Sequence, residues 1–85
     1  MKANYKTRLY IASLIHNWKE DYTELEELYN KTPAVNERWE FGENQQYIIT
    51  EKLYGITQIE ANIIIHTLKK ETNITPALNI LNKKL

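Results

Sequence analysis

From Ile11 onward, apolar residues recur at positions 11, 15, 18, 22, 25 and 29, as Ile, Ile, Trp, Tyr, Leu and Tyr. The 4-3-4-3-4 spacing is a heptad seam, and Leu14 and Leu28 widen it. One helix over residues 5–30 satisfies the pattern without loss of phase, so the sequence predicts a long first helix. Thr23, with Glu26 three residues on, has the form of a capping box and marks the competing reading, a break near Asp21 and Thr23. Pro33 closes the segment, because the residue before a proline is pushed out of the α region.

Residues 31–42, KTPAVNERWEFG, form the one extended stretch without helical periodicity. Trp39 and Phe41 alternate with Glu40, and QYIIT at 46–50 is β-branched and aromatic, so a short β-hairpin pairing 38–41 with 46–50 competes with a helix. ENQQYIITEKLY has no internal breaker, which favours a helix over 43–54 stopped by Gly55 as C-cap. Thr57 and Glu60 repeat the capping-box spacing and open a helix over 58–71. Asn73 and Thr75 precede a last helix that has Pro76 at its first position and Ala77, Leu78, Leu81 and Leu85 on one side. The prediction is an all-α single domain over 1–85, a small bundle of three to four helices with a long first helix and an aromatic-containing loop.

At 100° per residue the 58–71 helix is apolar on two sides. Ala61, Ile64, Ile65 and Leu68 share one face, while Ile59 and Ile63 lie nearly opposite and lead to His66 and Lys70. Such a helix is either central in its bundle or offers one side to a partner. In a chain this short, central placement is the structural expectation, and the stripe of Ile59, Ile63, His66 and Lys70 is the sharpest interface candidate. Two further candidates are Trp39 with Phe41, as aromatic anchors, and Glu20, Glu24 and Glu27. The acids are spaced 4 and 3 and form either a solvated helix face or a docking strip for a basic surface.

Composition removes most chemistry. The chain has no cysteine, which excludes disulfide staples and thiolate metal or nucleophile sites. His16, beside Asn17 and Glu20 on a polar face, reads as solvated, and His66 reads as a structural imidazole. Adjacent acids such as Glu26 and Glu27 point in different directions along a helix, and the two glycines are 13 residues apart, too far for a phosphate loop. The expectation is a protein that is not an enzyme and needs no cofactor or metal. No apolar run is long enough for a signal peptide or a membrane span, so the chain is expected to be cytoplasmic.

Charge is segregated although the net charge is zero. Residues 1–19 hold four bases and no acid, residues 20–44 hold eight acids against Lys31 and Arg38, and residues 45–85 hold five lysines against three acids. A nucleic-acid reader usually concentrates basic charge on one face, and the acidic middle would repel phosphate. The run ITEKLYGITQIEANIIIH nonetheless has the outline of a helix-turn-helix. Base readout from its second helix would fall to Gln58 and Asn62, among Ile59, Glu60 and Ile63.

From Tyr47 to the end, LYGI followed by Ala61, Leu68, Asn73, Ala77 and Leu81 resembles the ubiquitin-associated-like three-helix modules. The resemblance covers less than half of the chain, and Leu68 and Ala77 stand one residue closer than is usual in that family. It implies a three-helix arrangement there, and no ubiquitin-contacting residue is carried over. Taken together, the expected function is a small non-catalytic protein-binding module, with a homodimer as one form of partner. Its Lys-, Asn- and Ile-rich usage suggests an accessory protein of a phage or mobile element that binds and modulates a host protein. The alternative is a small helix-turn-helix-like transcriptional regulator.

Overall fold

A computed structural model describes residues 1–31, 41–70 and 73–85, with side chains from 45 to 69 in the middle segment. The described residues form five helices: α1 Tyr5–Trp18, α2 Thr23–Asn30, α3 Phe41–Lys52, α4 Gln58–Lys70 and α5 Thr75–Lys84. The all-α expectation holds, but the long first helix does not. What the seam suggested as one helix is two, and the described residues hold five helices where three to four were expected.

A continuous helix would exceed the dimensions of the folded molecule. A 26-residue helix would run about 39 Å at ~1.5 Å per residue, whereas the longest extent of the molecule is 34 Å. The chain instead leaves the helix after Trp18, where the Asp21 amide donates to the Trp18 carbonyl at 3.0 Å. It restarts from an extended Tyr22, whose carbonyl accepts from Leu25 and Glu26. Thr23 is therefore the first helical residue and not the cap, so its predicted capping box does not form. Folding back lets both halves reach one core: Ile11, Ile15, Leu25 and Tyr29 are sealed, and Trp18 and Tyr22 pack partly buried at its edge.

Asn4 starts α1 by accepting from the Thr7 amide at 2.9 Å. α3 begins two residues earlier than predicted and ends at Lys52, followed by a turn through Gly55, whose φ of +95° is open to glycine and strained for other residues. The rival hairpin fails in its second half, since 46–50 is helical, and residues 38–40 lie outside the described residues.

The Thr57–Glu60 capping box forms as predicted. The Glu60 amide donates to Thr57 Oγ1 at 3.0 Å, and the Thr57 amide donates to Glu60 Oε1 at 3.0 Å. At α5, Asn73 Oδ1 accepts from the Thr75 amide, and Pro76 sits in the first turn.

α1 is the hub, packing on α2, α3 and α4, while α5 packs on α4 and α2. One contact with no local sequence signal ties the start of the chain to α4. Lys2 bridges Thr57 in antiparallel fashion, the Ala3 amide donates to the Ile56 carbonyl at 2.9 Å, and the Gln58 amide donates to the Met1 carbonyl at 2.8 Å. Met1 thereby satisfies one of the amides that every helix start leaves open. Among the described residues, no helix is long and apolar enough to cross a membrane.

Candidate partner-binding face

α4 separates its two apolar sides cleanly. Ala61, Ile64 and Leu68 are sealed in the core, with Ile65 half-buried. On the other side Ile59 is 73% exposed and Ile63 39% exposed. The helix is therefore not central in the bundle, contrary to the structural expectation from its pattern. Ile59, Asn62, Ile63 and His66 line an open groove of about 440 Å³ along the outer surface. Three residues of the predicted stripe, Ile59, Ile63 and His66, come together there. The Lys70 side chain lies outside the described residues.

Lys83 and Lys84, in the last turn of α5, are exposed and half-exposed. They stand near enough to Glu60 to add to the hydrogen bond from the Thr57 amide, which does most to hold the Glu60 carboxyl below its ordinary range. Lys69 is exposed, and its ammonium sits 6.0 Å from the centre of the Tyr10 ring on α1. Gln58 and Asn62, the two candidate base readers, are bonded to each other, Nε2 to Oδ1, at 2.9 Å.

The other predicted sites are less coherent. Glu24 and Glu27 are exposed on α2, but Glu20 belongs to the turn and pairs with Lys19 at 3.7 Å, so the break divides the predicted acidic ridge. Trp39 lies outside the described residues, as does the side chain of Phe41, whose backbone opens α3.

The two histidines exchange their expected roles. His66 is exposed, whereas His16 is half-buried, with Nδ1 3.1 Å from the Tyr29 hydroxyl. Burial pushes the Tyr29 phenol above its ordinary pKa.

Sequence reasoning missed Arg8. Counted as part of a basic terminus, it is 8% exposed, and its Nη1 donates to the Thr50 carbonyl at 2.8 Å. Glu51 stands 3.9 Å away, and the Tyr5 and Tyr54 rings lie 5.6 and 5.2 Å from the guanidinium. The signal available was its place on the seam side of α1, three residues before Ile11.

Among the described residues, no group of three His, Asp or Glu side chains is placed to hold a metal ion. Comparison with protein families, with curated proteins and with solved structures finds no match.

Proposed function

We propose that this chain is a small non-catalytic protein-binding module that docks its partner on the outer face of α4. One observation carries the reading: two branched apolar side chains, Ile59 largely and Ile63 partly, are exposed on a helix whose opposite face already fills the core. The groove between them and His66 gives that surface a shape a partner side chain can enter. The wider reading, an accessory of a phage or mobile element that modulates a host protein, rests on residue usage and adds that the partner comes from the host.

The test compares wild type with Ile63→Asp as baits. A protein retained by wild type and lost with a folded Ile63→Asp supports the reading. Equal retention by both baits rejects this face.

The second reading, a helix-turn-helix-like regulator, is favoured by the order α3, left-handed Gly55, α4. It would have to read bases with a helix whose outward side chains are isoleucines. Steeply salt-dependent retention on duplex DNA would favour it.

A further inference from the structure

We draw no further inference here: the strongest candidate, the open groove along the outer face of α4 lined by Ile59, Asn62, Ile63 and His66, belongs to the site already described, and nothing in the structure shows what covers it.

Discussion

His16 Nδ1 and the Tyr29 hydroxyl are 3.1 Å apart, although 13 residues separate them in the chain. On one continuous helix that separation would be about 20 Å. The contact is therefore possible only because α2 turns back along α1, and it holds the two helices together at the seam. Tyr29→Phe removes the bond but keeps the ring. Since His16 is half-buried and can turn to water, the cost is expected to be about 1 kcal/mol, or a melting temperature lower by roughly 4–8 °C. Thermal unfolding followed by circular dichroism checks it, and an unchanged melting temperature would show that the contact adds nothing.

The same tyrosine predicts an alkaline limb. Burial raises its pKa above the ordinary 10.0, so the folded state keeps the proton where the unfolded chain has lost it. The stabilisation is complete below pH 10 and is lost as pH rises through the folded pKa. Wild type should lose stability above pH 10 more steeply than Tyr29→Phe. Parallel alkaline limbs in denaturant titrations would assign the effect elsewhere.

Neighbouring isoleucines should respond oppositely to the same substitution. Ile64 is fully buried, so Ile64→Asp places a carboxylate in the core without a partner and should unfold the domain. Ile63→Asp should keep its helicity and melt close to wild type. Far-ultraviolet circular dichroism of the two variants decides it, and loss of structure in both would show that the fold depends on the Ile63 side chain as well.

Thr57→Ala opens the capping box of α4 and should lower the melting temperature by roughly 4–8 °C. Glu60, its reciprocal partner, has a lowered pKa, chiefly from the Thr57 amide. Its contribution is therefore present above the unfolded value of 4.5 and is lost as pH falls through the folded one. Glu60→Gln should flatten that acid limb, whereas an unchanged limb would assign it to other carboxyls.

Arg8→Ala removes both a charged donor to Thr50 and a packed stem, and it should cost about 2–3 kcal/mol. Urea unfolding measures it. A loss below about 0.5 kcal/mol would place Arg8 with ordinary surface residues.

Light scattering at high concentration should return a mass near 10.1 kDa, the monomer. A doubled mass that reverts in Ile63→Asp would make α4 a self-association face.

The phase of the core was legible in the sequence, and the path of the backbone was not. A seam of threes and fours survives a reversal whenever both helices face one core, so Ile11, Ile15, Leu25 and Tyr29 were identified correctly on a helix that does not exist. The Thr57–Glu60 box and the Gly55 turn were readable because their bonds are local. Arg8 escaped because what makes its burial tolerable, the Thr50 carbonyl, lies 42 residues away. The two apolar sides of α4 were equally visible, but only packing against α1 and α5 chooses which one meets water.

The strand-like grip of Lys2 on Thr57 has a topological consequence. Residue 1 is hydrogen-bonded to the first turn of α4, 57 residues further along the chain. Residues 1–58 thus form a closed loop, pinned at the start of α4. Deleting Met1 and Lys2 would unpin that loop and leave the Gln58 amide to water.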